Sequence, residues 1–134
     1  MPGAERGAGR RGRRRLSRSA DFDRVYREGR SHANRHLVVY AFPRAEDDAE
    51  PDAERRLGIS VGRKVGGAVE RNRVKRVLRE AFWSVADELP DRHDFVIVAR
   101  PAAAELAERG GEAAVEGSLR ELLDGAGLIR EKAA

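Results

Sequence analysis

Residues 65–82 read VGGAVERNRVKRVLREAF, and their spacing of apolar residues predicts the helix around which the rest of the chain is organised. On a helical wheel, one side of this segment is apolar and the other side is polar and mostly basic. The apolar side carries Val74, Val77, Leu78, Ala81 and Val85, and the other carries Asn72, Lys75, Arg76 and Arg79. One side can therefore be buried while the other meets a polyanion.

Positive charge is concentrated in and just before this helix. Residues 55–79 contain nine basic residues and one acid, a net charge of +8, whereas the whole chain carries +4. Arg71, Lys75 and Arg79 recur every four residues, so their like charges repel by roughly 0.2–0.5 kcal/mol per pair. Most charge runs are solvated surface, but a helix built only for solubility would intersperse acids. The pattern favours an anionic partner, and the planar guanidinium group can grip phosphate through two hydrogen bonds.

Residues 57–66, LGISVGRKVG, and residues 68–82, AVERNRVKRVLREAF, resemble the signature of the bacterial ribonuclease P protein component. In that family a strand ending in basic residues leads through a glycine turn into a helix that begins Arg-Asn-Arg. The resemblance extends to Asp21-Phe22, to Val25-Tyr26 and to DFVIVARP at residues 94–101. It covers roughly residues 15–125 of the chain.

The fold that this resemblance implies is α+β, with one small sheet of about four strands packed with helices in the order αβββαβα. It also implies a left-handed βαβ crossover, shared with a domain of some ribosomal proteins and translation factors. The general preference for right-handed crossovers would have predicted the opposite hand.

The function that the resemblance implies is that of a protein subunit of ribonuclease P. Such a subunit binds the catalytic RNA and the 5′ leader of precursor tRNA, and it aids endonucleolytic removal of the leader. The RNA subunit carries out the chemistry with magnesium, and the protein itself binds no cofactor. A monomer in a one-to-one complex with the RNA, located in the cytoplasm, is the expected form.

Two sets of site residues follow from matching the family's motif to this chain. The residues expected to bind the catalytic RNA are Arg63, Lys64, Arg71, Asn72, Arg73, Lys75, Arg76 and Arg79. The residues expected to bind the leader are Arg18, Phe22, Tyr26 and Tyr40. Aromatic residues spaced one helical turn apart are more often core than binding surface, so burial is the competing interpretation for Phe22 and Tyr26. For Tyr40 the two interpretations carry equal weight.

The chain divides into three parts by composition. Residues 1–15 are rich in Gly and Arg, which predicts a disordered basic arm that lacks a signal-peptide core or membrane span. Residues 16–125 form the expected domain, and residues 126–134 a frayed tail. Within the domain, residues 44–54 hold six acids and predict a mobile loop facing away from RNA. Residues 80–134 carry twelve acids and six bases, so the charge is distributed unevenly.

Hydrophobic periodicity places the remaining elements. A helix is predicted at residues 20–28, with strands at 31–43 (broken near 34–35), 56–64 and 94–99. A short helix at 103–108, a break at Gly110-Gly111 and a last helix at 112–124 complete the chain. The strand at 56–64 alternates Leu, Ile and Val with Gly and Ser, so one of its faces is nearly bare and a nucleic-acid backbone could approach closely.

No catalytic machinery is evident in the sequence. There is no cysteine, so disulfides and thiolate metal sites are excluded. His32 and His36 are not accompanied by a carboxylate cluster, and Asp94, next to His93, is expected to tie off the start of a strand. No phosphate-binding loop or nucleophile elbow is present. No catalytic or metal-ligating residue is therefore assigned to the protein.

Two further classes of function remain open beside the ribonuclease P subunit. One is a non-catalytic RNA-binding or ribosomal assembly protein on the same fold. The other is a DNA-binding module, which is disfavoured because strands, not a packing helix, flank the basic helix. The aromatic set Phe22, Tyr26 and Tyr40 favours a ribonuclease P subunit over a plain RNA-binding protein, since a single-stranded leader would bind by stacking on aromatic side chains.

Overall fold

A computed structural model of the chain describes residues 13–16, 19–44 and 55–129. Its strands are β1 (Arg13–Arg15), β2 (Arg30–Ala33), β3 (Leu37–Pro43), β4 (Arg55–Val61) and β5 (His93–Ala99). Its α-helices are α1 (Ser19–Glu28), α2 (Ala68–Val85) and α3 (Ala102–Gly125), and a short 3-10 helix (Ala86–Glu88) follows α2. The α+β class is confirmed, and from α1 onward the helices and strands follow the predicted order αβββαβα. β1 is a fifth strand, beyond the four or so that were expected.

The strands form one sheet in the order β1-β4-β5-β3-β2. β4 runs parallel to its neighbours β1 and β5, whereas β3 is antiparallel to both β5 and β2. The β4-α2-β5 unit therefore joins two adjacent parallel strands across one face of the sheet. Its left hand stays a prediction from the resemblance.

The two faces of the sheet are buried to different extents. α2 and α3 cover one face and form the main core with inward side chains such as Leu37, Phe95 and Ile97. α1 covers only part of the opposite face, where the buried apolar cluster consists of Leu16, Val25 and Val96. The face that carries α1 thus retains accessible strand surface.

The basic helix α2 forms where the sequence predicts it. The Glu70 carboxylate accepts a hydrogen bond of 3.2 Å from the Gly67 backbone N–H, which satisfies a donor that the helix start leaves open. The buried side of α2 consists of Val74, Val77, Leu78, Ala81, Phe82 and Val85. All five predicted apolar positions are therefore in the core.

The predicted break at Gly110-Gly111 is confirmed. α3 consists of two helical segments that meet at a kink, where Gly111 has non-helical angles (φ 62°, ψ −153°). After the helix, the Leu128 N–H donates to the Leu123 carbonyl at 3.0 Å, and Gly127 has φ 75°. This hydrogen-bonded left-handed turn ends α3.

Two predicted boundaries are wrong. The arm was expected to include residues 13–15, but these form β1 and pair with Arg55, Arg56 and Leu57 of β4. The tail was expected to begin at residue 126, but Leu128 and Ile129 pack against the main core. In both places short-range composition was outweighed by contacts that only the folded sheet and helices provide. Residues 1–12, 45–54 and 130–134, and with them the expected acidic loop, lie outside the described residues.

Candidate nucleic-acid interface

The basic face of the protein comprises the eight residues Arg63, Lys64, Arg71, Asn72, Arg73, Lys75, Arg76 and Arg79. Five of them are exposed, and Arg71, Arg73 and Lys75 are half-buried. Within the described ranges, none of the seven cations forms an ion pair with an acid. Their charge is therefore available to a partner.

Arg63 and Lys64 lie in the turn that links β4 to α2. The turn closes with a hydrogen bond of 3.1 Å from the Val65 N–H to the Gly62 carbonyl, and Val65 is buried against the core. Burial of Val65 fixes the turn at the carboxyl end of β4, next to the first turn of α2. The basic face thus joins one end of the sheet to one side of the helix.

Two half-buried arginines of α2 have an unsatisfied hydrogen-bond donor. The Nε atoms of Arg71 and Arg73 are shielded from solvent and lack a hydrogen-bond partner among the described residues. A buried donor without a partner costs free energy, so a rearrangement of either side chain that brings its Nε to an acceptor such as phosphate is favourable.

Three aromatic residues expected in the leader set meet on the face that carries α1. The ring centroids of Phe22 and Tyr26 are 6.2 Å apart, and those of Tyr26 and Tyr40 are 4.9 Å apart in an edge-to-face arrangement. Phe22 and Tyr40 are half-buried and Tyr26 is exposed. Each ring is therefore accessible in part, as a stacking platform requires.

The floor beneath Phe22 is Gly58 of β4. A Cβ atom at position 58 would lie 2.5 Å from Phe22 Cζ, so a larger residue would displace the ring. Ser60 is the next position of β4 on the face that carries Gly58, and its side chain forms a hydrogen bond with Tyr26. Partial burial of the Tyr26 hydroxyl raises the pKa of Tyr26 above its ordinary value. The bare face of β4 predicted from the sequence thus receives aromatic side chains of α1.

The strand surface beyond these aromatics is half-buried. Ser60, Val98 and Val38 lie side by side on adjacent strands β4, β5 and β3 and none of them is fully covered. This strip, with Phe22, Tyr26 and Tyr40, defines a cleft between α1 and the sheet, which is called the aromatic cleft below. The strip crosses the strands near the carboxyl end of β4, and Arg63 and Lys64 begin the basic face just beyond that end.

The structure brings together eleven of the twelve residues predicted for the two sites, in two adjoining surfaces. Arg18 lies outside the described residues. Sequence reasoning missed Ser60, Val38 and Val98, although the alternation of small residues in β4 pointed to the first.

Arg55 and Arg56 were counted with the basic segment, but both are buried, with 6% and 7% of their surface exposed. Arg55 pairs with Asp91 at 2.7 Å. Arg56 donates two hydrogen bonds to Asp94, from Nε at 2.8 Å and from Nη2 at 2.7 Å. These two arginines are therefore structural, and their charge does not belong to the basic face.

His36 and His93 each make a hydrogen bond within the protein. His36 Nδ1 lies 3.0 Å from Ser118 Oγ, and His93 Nδ1 lies 2.9 Å from the Asp91 carbonyl oxygen. Over residues 13–16, 19–44 and 55–129, no three or more His, Asp or Glu residues are arranged to hold a metal ion. In the same ranges, none of the helices is both long and apolar enough to cross a membrane.

These features define an α+β protein with a basic helix and an adjoining aromatic cleft. The Ribonuclease P family model matches residues 11–123. The ribonuclease P protein component of Bacillus pumilus is 39% identical over 94 residues, which cover 70% of this chain and 75% of that protein. That of Bacillus cereus strain B4264 is 41% identical over 92 residues, covering 69% and 76%.

Solved structures agree with the sequence relatives. The RNase P protein of Staphylococcus aureus superposes with a TM-score of 0.72 at 35% identity, covering 87% of this chain and 97% of that one. The RNase P protein of Thermotoga maritima gives 0.69 at 34% identity, covering 83% and 96%. The chain belongs to the ribonuclease P protein family, and its function is that of the protein component in tRNA 5′ processing.

Proposed function

We propose that the basic face binds the RNA subunit of ribonuclease P, and that the aromatic cleft holds the 5′ leader of precursor tRNA. The observation that carries the proposal is the pairing of two unlike surfaces: seven cations without acid partners among the described residues, and three clustered aromatic rings beside them. Cations bind a phosphate backbone whatever its sequence, whereas exposed rings bind unpaired bases by stacking. A folded RNA and a single-stranded leader require these two modes.

The basic face suits a structured RNA because its side chains extend from rigid elements. Arg71, Lys75 and Arg79 are one turn apart on α2, and the opposite side of that helix is anchored by six buried residues. Phosphate contacts orient a protein on its nucleic acid without reading base sequence. The basic face would therefore set the orientation of the protein on the RNA, and so the direction in which the cleft points.

The aromatic cleft suits a leader of any sequence. Every base has a face that can stack, so binding of this kind tolerates sequence variation. The three aromatic rings are tilted relative to one another. The interplanar angle is 47° between Phe22 and Tyr26 and 80° between Tyr26 and Tyr40. Arg18, which lies outside the described residues, directly precedes α1 in the sequence and would add a phosphate contact.

Bond cleavage is assigned to the RNA partner, which the resemblance implies would use magnesium to activate water for attack on the phosphodiester. This chain then contributes binding and orientation, as a monomer in a one-to-one complex, and acts in the cytoplasm. The surfaces described for it offer cations and aromatic rings for binding. Its cations would matter most at low magnesium, where fewer ions screen phosphate repulsion.

The leader assignment is tested with Phe22→Ala and Tyr26→Ala in the assembled holoenzyme. Each substitution should weaken binding of leader-bearing precursor by about 1–3 kcal/mol, the contribution of one stacked base, and leave mature tRNA binding unchanged. Equilibrium binding of both ligands gives the ratio directly. Equal weakening of the two ligands, or a lower melting temperature without a change in ratio, would show that these rings serve the core alone.

The assignment of chemistry is tested by incubating precursor tRNA and magnesium with the protein alone, then with bacterial ribonuclease P RNA added. The protein alone should not cleave, and the complex should cut once, at the junction of leader and tRNA. Site-specific cleavage by RNA-free protein, lost on His93→Ala, would contradict the proposal and indicate a protein nuclease.

A further inference from the structure

A ring of four charged residues joins α1 to the sheet at one end of the aromatic cleft. Asp21 and Arg24 come from α1, Arg56 from β4 and Asp94 from β5; they are called the charge quartet below. Around the ring, the closest nitrogen-oxygen distances are 3.3 Å for Asp21–Arg24, 3.3 Å for Arg24–Asp94, 2.7 Å for Asp94–Arg56 and 3.8 Å for Arg56–Asp21. Signs alternate, so each residue of α1 faces an opposite charge on the sheet.

Asp94 is the centre of this arrangement. Its side chain is fully buried, and Arg44 adds a third cation, with Nε 3.3 Å from Asp94 Oδ1. A buried carboxylate is costly unless it is paired and hydrogen-bonded, and Arg56 meets that requirement with two short hydrogen bonds. Asp94 is thus held by the sheet itself, independently of α1.

Arg24 is the link from this fixed carboxylate to the helix. Its guanidinium is shared between Asp21 and Asp94, and its Cζ lies 5.2 Å from the centre of the Phe42 ring on β3. Arg24 therefore contacts both β3 and β5 while it belongs to α1. A planar guanidinium can make ionic and ring contacts at once, which Lys cannot do as well.

α1 has few other attachments. It is ten residues long, and Val25 is its single fully buried residue. The apolar cluster beneath it contains three buried side chains, against twenty-three in the main core. Most helical stability in proteins comes from apolar packing. Because α1 buries so little apolar surface, its position on the sheet depends strongly on polar contacts.

We infer that the charge quartet is a positioning device for the aromatic cleft, and that Arg24 is a positioning residue for the leader; this rests on the proposed function of the cleft. Phe22 directly follows Asp21, and Tyr26 is two residues after Arg24. A shift or tilt of α1 would move both rings relative to Tyr40 and Gly58. The quartet would thus keep the rings at the spacing that stacked bases require.

The test replaces Arg24 by Leu and measures, for the holoenzyme, the ratio of affinities for leader-bearing precursor and mature tRNA. The ratio should fall about fivefold, the lower part of what one stacked base contributes. The salt dependence of precursor binding should not change, because Arg24 loses no phosphate contact. Arg24→Lys should recover part of the ratio, since it restores the charge near Asp94 without the planar group.

Arg27→Leu is the matched control, because it removes the same charge from the same helix at an exposed position whose described partner is Glu28 at 3.8 Å. It should leave the affinity ratio unchanged.

Asp21→Asn is the second variant if Arg24→Leu does not fold. It opens the ring of charges at α1 while Asp94 keeps its arginines, and it should lower the affinity ratio as Arg24→Leu does.

Phe22→Ala, measured alongside, distinguishes a failure of the quartet inference from a failure of the cleft assignment. If Phe22→Ala lowers the ratio and folded Arg24→Leu and Asp21→Asn do not, the quartet inference is wrong and the cleft assignment stands. If none of the three lowers it, both are wrong. A salt slope that falls by about one unit in Arg24→Leu would also overturn the inference, because it would show a direct phosphate contact.

Discussion

The charge quartet and the basic face contain the same kind of side chain in opposite situations. In the quartet, Arg24 and Arg56 surround carboxylates at 2.7–3.8 Å, and the charges are largely neutralised inside the protein. On the basic face, Arg76 and Arg79 are exposed and have no acid partner within the described residues. An arginine that has a local acid stabilises the fold, whereas one without it is available to RNA.

The comparison predicts its largest effect at Asp94. Asp94→Asn keeps the shape but removes the buried carboxylate that Arg24, Arg44 and Arg56 share, and breaking a buried pair in this way costs about 3–5 kcal/mol. Urea unfolding of the free protein measures the loss. Glu105→Gln is the control, because Glu105 is paired with Arg109 and both side chains are exposed, at 62% and 80%, so the expected cost is below about 1 kcal/mol. Equal losses for both variants would show that burial does not separate these pairs.

The smallest effect is expected at the surface pair of Arg120 and Glu88. Arg120 donates two hydrogen bonds of 2.8 Å to the Glu88 carboxylate, and the pair ties α3 to the 3-10 helix after α2. Because the Arg120 side chain is 40% exposed, Arg120→Gln should lower the free energy of unfolding by about 0–1 kcal/mol. RNA affinity should be unchanged, and a measurable loss of it would place α3 at the RNA interface.

Much of the fold could be predicted because the decisive elements are local. The apolar spacing of α2, the alternation of β3 and β4 and the glycine at position 111 each act within a few residues. The strand at Arg13–Arg15 and the packing of Leu128 and Ile129 could not be predicted in this way. Each depends on a partner that is distant in sequence: β4 for the first, and the main core for the second.

The basic face and the aromatic cleft could be predicted as residue sets, from helical spacing and the family resemblance. The separation of Arg55 and Arg56 from the basic face could not, because it depends on Asp91 and Asp94, which lie more than thirty residues further along the chain. For the same reason no sequence pattern pointed to the quartet, whose four members come from three separate elements. The number of charges follows from composition, whereas RNA binding depends on which of those charges the folded protein leaves without a neutralising partner.

The most direct test of this distinction is the salt dependence of ribonuclease P RNA binding by an Arg71→Ala/Arg76→Ala variant, measured together with its unfolding free energy. Each lost phosphate contact should lower the slope of log affinity against log salt by about one unit, so the slope should fall by about two. The unfolding free energy should stay within about 0.5 kcal/mol of the unsubstituted protein, because neither side chain has an acid partner among the described residues. An unchanged affinity and slope in the folded variant would contradict the assignment of this helix to RNA.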